Sequence, residues 1–149
     1  MRSLILSFSF LSQLIPLDMM KYSMIEYAKK FIGVEYEWAG NSADEGFDCS
    51  GFVCEVLKSQ DYIKNKEDLN SQQLYNRFVK DAYKTVKYVQ EGDLLFFGKD
   101  NKSITHIALA ISYTQCIEAG GEGRVSTKNG MVRIRPINYR KDLVAIIRL

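Results

Sequence analysis

Gly46-Phe47-Asp48-Cys49-Ser50-Gly51-Phe52-Val53-Cys54 reads as a tight turn followed at once by a helix. Asp48 is of the type that caps helices, because a short carboxylate accepts hydrogen bonds from the N–H groups of the first turn. Cys49 then takes the first helical position, where a thiol faces unpaired N–H groups and the positive end of the helix dipole. A nucleophilic cysteine requires such a setting. The competing reading is a small buried cysteine after a loop, since free cysteine is among the most buried residue types. The rest of the chain decides between the two.

Beyond Asp48 the helix is expected to run to Gln60, with Phe52, Val53, Val56 and Leu57 as its apolar stripe. Upstream, Met24, Tyr27, Ala28, Phe31 and Ile32 recur at three- and four-residue spacings. They predict a core helix over Met20 to Ile32, stopped by Gly33. Val34 to Trp38 reads as extended, and Gly40 to Gly46 as a polar loop. Residues 61 to 70 are polar surface loop, and Ser71 is expected to cap a third helix carrying Leu74 and Phe78.

The character then changes. Asp93 to Gly98 is a short apolar run bounded by turn residues. Thr105 to Ser112 alternates, with Ile107, Leu109 and Ile111 on one face and His106, Ala108 and Ala110 on the other. Thr114 to Ala119, Met131 to Ile134 and Leu143 to Leu149 complete the strands, with a glycine-rich turn at Gly120-Gly121-Glu122-Gly123. Helices followed by a run of strands on short turns define an α+β class with an antiparallel sheet.

A chain of 149 residues with 26% charged residues and a net charge of +2 is one domain with a mixed, solvated surface. It lacks the concentrated basic face of a dedicated nucleic-acid binder. Three cysteines, Cys49, Cys54 and Cys116, exclude a full disulfide framework. Cys49 and Cys54 sit on different helical faces and are not expected to pair. There is no zinc-ligand spacing, and His106 is the only histidine. Residues 1 to 19 form an apolar segment with a charged start but no small-x-small cleavage site, too short and interrupted for a membrane span. Three readings stay open: an export signal, a start-site artefact with the true start at Met19 or Met20, or a packed extension of the domain over 20–149.

His106 shares its strand face with two alanines, which would let the Cys49 helix approach closely. The pair would then make a thiolate–imidazolium couple, with histidine as general base and acid. If the next strand folds back as a hairpin, Glu118 falls near the start of the histidine strand and can orient the imidazole. The alternative for Glu118 is a solvated strand-end acid.

Four blocks then stand in order: Tyr36-Glu37-Trp38-Ala39-Gly40, Gly46 to Phe52, Gly92-Asp93-Leu94-Leu95-Phe96-Phe97, and Thr105-His106-Ile107-Ala108-Leu109. Together they resemble the signatures of the NlpC-type cell-wall peptidases, papain-like cysteine peptidases that cut peptidoglycan stem peptides. The resemblance covers about residues 20 to 149. It implies N-terminal helices packed on a central antiparallel sheet of about five to six strands, with no metal or organic cofactor. It also implies Cys49 as nucleophile, His106 as general base and acid, and Tyr36, Asp48 and Ser50 around the oxyanion and substrate. The implied partner is a peptidoglycan peptide, the implied place the bacterial cell wall, whether in a secreted or a phage-associated protein. Glu118 stands where the family usually has His, sometimes Asn or Gln, and Ala39 where glycine is common. The loop before Cys49 is slightly longer than is typical. An amidase or acyltransferase on the same scaffold, or a non-catalytic wall-binding or virion module, are the alternatives.

Overall fold

In the computed structural model, residues 15–121 and 129–149 are described. Most of the apolar N-terminal segment, and Glu122 and Gly123 of the glycine-rich turn, lie outside them. Helix α1 spans Leu17–Lys29. It begins three residues before the expected start because Pro16 stands at the N-cap, where its carbonyl accepts from Met19 and Met20 N–H. A fixed φ and a missing N–H suit proline to a helix entrance. Met24, Ile25 and Ala28 face the core. Beyond Lys29 the chain tightens into i→i−3 bonds through Ile32 and turns at Gly33, with φ +91°. None of the helices among the described residues is long and apolar enough to cross a membrane.

Helix α2, Cys49–Lys58, is shorter than expected. Helix α3 spans Ser71–Lys80, and its cap is Asn70 rather than Ser71. The Asn70 side chain accepts from Gln73 N–H while the Gln73 side chain accepts from Asn70 N–H, a reciprocal capping box.

Strands β3 (Lys84–Val86), β4 (Leu94–Gly98), β5 (Ile104–Ala110), β6 (Gln115–Gly120), β7 (Met131–Pro136) and β8 (Leu143–Arg148) form one six-stranded sheet in the order β3-β8-β4-β5-β6-β7. Every pair is antiparallel. All five residues of β4 are buried, which explains its unbroken apolar run between two covered faces. Strand β3 was not expected: it is a mostly exposed edge strand that pairs through its backbone with β8, so it carries no alternation. A two-residue ladder, β1 (Asn41–Ser42) with β2 (Gly46–Phe47), closes the polar loop before Cys49.

One expectation about packing is overturned. Helices α2 and α3 do not lie on the Ala108/Ala110 face. Phe52, Val53, Leu57, Leu74 and Phe78 pack with Leu94, Phe96, Ile107, Leu109 and Ile117 on the other face. The large residues offer the greater apolar area to bury, and that outweighs closeness of approach. The alanines instead sit beside large neighbours, Leu95 opposite Ala108, in a second cluster with Phe97, Cys116, Ile146 and Tyr139.

The stretch from Val34 to Trp38 is only partly extended. Glu35 and Tyr36 make isolated bridges to Met131 and Phe47, and the chain then turns through Trp38 and Ala39. Ala39 has φ +60°, a left-handed conformation that costs an L-residue roughly 1–2 kcal/mol. Ala39→Gly removes that strain against an entropic loss of about 0.5–1 kcal/mol. Its Tm should therefore rise by about 1–4 °C in a thermal melt; an unchanged or lower Tm contradicts this account of the turn.

Candidate active site

Asp48 is the hinge between loop and helix. Its backbone is extended, and its Oδ1 accepts from Gly51 N–H at 2.7 Å and from the Ser50 hydroxyl at 3.1 Å. Its own N–H donates to the Gly40 carbonyl at 2.9 Å, tying the Cys49 turn to the end of the Tyr36 block. Asp48 and Ser50 therefore hold each other and the helix start. Phe52 N–H takes the Asp48 carbonyl at 3.0 Å as the first bond of the helical ladder, so the Cys49 and Ser50 N–H groups precede it.

Cys49 is half-buried, in contrast to Cys54 and Cys116, which are buried. Burial pushes the Cys54 thiol up to about 11, partly opposed by a hydrogen bond with the Leu69 backbone. Burial and the Glu118 charge push Cys116 up to about 12. Those two thiols are packing groups.

His106 is 8% exposed and Glu118 1% exposed. Imidazole Nε2 lies 2.5 Å from Glu118 Oε2, which leaves Nδ1 as the nitrogen free for the Cys49 thiol. Burial disfavours the imidazolium, but hydrogen bonds to Cys49 and Glu118 and the charges of both outweigh it, raising the histidine to about 9. Burial likewise disfavours the Glu118 carboxylate. The His106 bond and charge, with Tyr139 and Arg135 behind them, overcome it and hold the acid below its usual range. The competing picture of Glu118 as a solvated strand-end acid does not fit this burial.

The topology explains how the thiol reaches a histidine on the far side of the sheet. β5 and β6 pair only at Leu109–Ile117 and Ala110–Cys116. The ladder stops before His106, and the N-terminus of α2, packed on β5 and β6, meets the imidazole at that open end.

Tyr36 joins the group from the bridge beside Phe47. Burial, then the neighbouring Cys49 and Asp48, raise its phenol to about 12, so it stays a protonated donor. A shallow cleft lined by Tyr22, Tyr27 and Lys30 lies between α1 and the end of α2 and contains none of these residues.

Sequence reasoning missed three contributors. Tyr139, in the 3₁₀ turn Ile137–Tyr139, donates its hydroxyl to Glu118 Oε2. Arg135 Nε lies 3.1 Å from Glu118 Oε1, and its guanidinium stacks 4.7 Å over the Tyr139 ring. Arg140 covers the Phe97 ring that borders His106. Arg135 was within reach of the alternation Val132-Arg133-Ile134-Arg135, had the strand been extended to Pro136. Tyr139 had no local signal, because its placement follows from where the chain turns after Pro136.

Residues 33–141 match the model of the NlpC/P60 family. The chain belongs to the NlpC/P60 family. It is 36% identical over 90 residues to a gamma-D-glutamyl-L-lysine dipeptidyl-peptidase of Bacillus cereus, covering 59% of this chain and 25% of the relative. The chain thus spans well under half the length of the curated relatives it matches. Among solved NlpC/P60 structures it resembles the peptidoglycan hydrolase RipB of Mycobacterium tuberculosis, with TM-score 0.70 and 25% identity over 90% of this chain and 68% of that one. RipD of the same organism, described as a non-catalytic NlpC/p60 domain protein adapted to peptidoglycan binding, superposes with TM-score 0.66 at 20% identity, over 87% of this chain and 97% of that one. That second likeness shows the fold alone. The papain-like α+β architecture expected from the sequence is the one observed.

Proposed function

We propose that this NlpC/P60 chain is a cysteine endopeptidase that hydrolyses peptidoglycan stem peptides at the bacterial cell wall. The observation that carries the reading is the placement of Cys49 at a helix start beside the buried His106, whose Nε2 in turn meets the buried Glu118 carboxylate. A non-catalytic binding module has no need to bury a charged pair behind a half-exposed thiol, since burying charge is costly without a purpose.

The Cys49 thiolate attacks the scissile amide carbonyl while His106 holds the proton taken from the thiol. The oxyanion forms beside the helix start, where the Cys49 N–H and the Tyr36 hydroxyl can donate to it. His106 gives its proton to the leaving amine, the C–N bond breaks and a thioester remains. His106, now neutral, takes a proton from water as the hydroxide adds to the thioester; the C–S bond then breaks, the carboxylic acid leaves, and the Cys49 thiolate and protonated His106 are restored. Glu118 keeps Nε2 engaged, so that Nδ1 faces the sulfur.

We propose that the bond cut lies after a D-glutamyl residue with diaminopimelate next. The basis is family membership, together with the gamma-D-glutamyl specificity in the name of the Bacillus cereus relative, where lysine follows. Digestion of purified muropeptides of both kinds, read by mass spectrometry, tests this. A new amine on the diamino acid is expected. Products cut at the muramoyl amide mark an amidase instead, and intact muropeptides that nonetheless bind mark a wall-binding module.

A further inference from the structure

A carboxylate on a buried imidazole creates a difficulty for the chemistry above. In a low-dielectric site the charge favours the imidazolium strongly, and a histidine that grips its proton is a poor acid for the leaving amine. The Glu118 carboxylate, however, is shared. Oε2 accepts from both His106 Nε2 and the Tyr139 hydroxyl, and Oε1 faces Arg135 Nε at 3.1 Å. The seat is tight: a Cβ on Gly120 would fall 2.9 Å from Oε1. Arg135 is itself anchored, with its guanidinium donating to the Gly121 carbonyl at 2.8 Å and lying over the Tyr139 ring. Tyr139 Oη is also 3.4 Å from His106 Nε2, so the imidazole and the phenol meet at one carboxylate oxygen while Arg135 faces the other.

We infer that Arg135 and Tyr139 are positioning residues for the His106–Glu118 pair, sharing the carboxylate so that it orients the imidazole without monopolising its proton. The groups around the imidazole are Cys49 from α2, Glu118 from β6 and Tyr139 from the 3₁₀ turn, with the apolar Phe97 of β4 as a wall. Behind them stand Cys116 of β6, Arg135 of β7 and Arg140, which is paired to Asp142. Burial and the Glu118 charge keep the Tyr139 phenol far above its ordinary value, so it remains a donor throughout the working range. Arg135 adds a positive charge on the side of the carboxylate away from the imidazole. Removing either group leaves more of the Glu118 charge to the imidazole, and the histidine then holds its proton to higher pH.

The inference rests on the proposed hydrolysis for its purpose, but its test is read on the free protein. His106 is the only histidine, so its titration can be followed by NMR without assignment of other imidazoles. Tyr139→Phe and Arg135→Met should each move the titration midpoint up by about one pH unit, and Arg135→Lys, which keeps the charge, should stay nearer the parent. In a Glu118→Gln background the same two changes should leave the midpoint where it is. Midpoints that stay or fall in the single variants, or equal shifts in the Gln background, overturn the inference. If Arg135→Met does not fold, Tyr139→Phe, which deletes one oxygen, decides the matter alone. Loss of hydrolysis with unmoved midpoints counts against this inference and leaves the proposed reaction standing; shifted midpoints in a protein that cuts no muropeptide do the reverse.

Discussion

Cys49→Ala is expected to lower stem-peptide hydrolysis at least ~1,000-fold, and His106→Ala by a similar factor. The double variant should be little worse than either single one, because the two side chains act as a unit and removing one disables the other. Cys54→Ala and Cys116→Ala keep turnover, since both thiols are buried packing groups. The pH dependence follows from the histidine. With His106 raised to about 9, the imidazolium persists at neutral pH and is lost as pH rises through that value, which places the alkaline limb of the rate profile near 9. Glu118→Gln removes a carboxylate that raises the imidazole, so the limb should move to lower pH. Stability has the same sign. A folded-state value above the unfolded one contributes stability below the unfolded value, near 6.5, and loses it as pH rises through about 9. Initial rates on a defined stem peptide across this range check the two rate statements, and denaturant titration across it checks the stability; retained hydrolysis in Cys49→Ala sinks the mechanism.

Gly51→Ala should damage both fold and site. A Cβ there would lie 2.0 Å from the Gly40 carbonyl oxygen and 3.1 Å from Asn41 Cα. Both obstacles are backbone, so no side chain can swing away. Overpacking of this kind costs about 1–3 kcal/mol, and backbone obstruction belongs at the upper end. The Gly40 carbonyl also accepts from Asp48 N–H at 2.9 Å, so pushing it aside disturbs the residue that starts α2 and aims Cys49. Denaturant titration should show the lost stability, and hydrolysis by the remaining folded protein should fall at least ~10-fold, because small displacements of reacting groups are costly. Parent-like stability and rate would show that the loop and helix are not tied in this way.

The Cys49 turn was legible because local rules agree there. An acid caps the helix and a thiol follows it. The strands over 94–98 and 104–110 were legible from apolar runs and alternation. What was not legible depends on tertiary choice. The His106 face was paired with the wrong layer, because two alanines suggested close helix approach while the larger Ile107/Leu109 face won the helices by buried area. Strand Lys84–Val86 has no apolar pattern, since its backbone alone joins β8. Glu118 could be named from the hairpin, but its burial could not be foreseen without Arg135 and Tyr139, and Tyr139 reaches it only after the chain reverses beyond Pro136.

The NMR titration of the lone imidazole in the parent chain and in Cys49→Ala tests the coupling of thiol, histidine and carboxylate most directly. A parent midpoint near 9, falling when the sulfur is removed, is the result expected of a thiolate–imidazolium pair at this site. A midpoint near 6.5 that ignores the loss of Cys49 would contradict it.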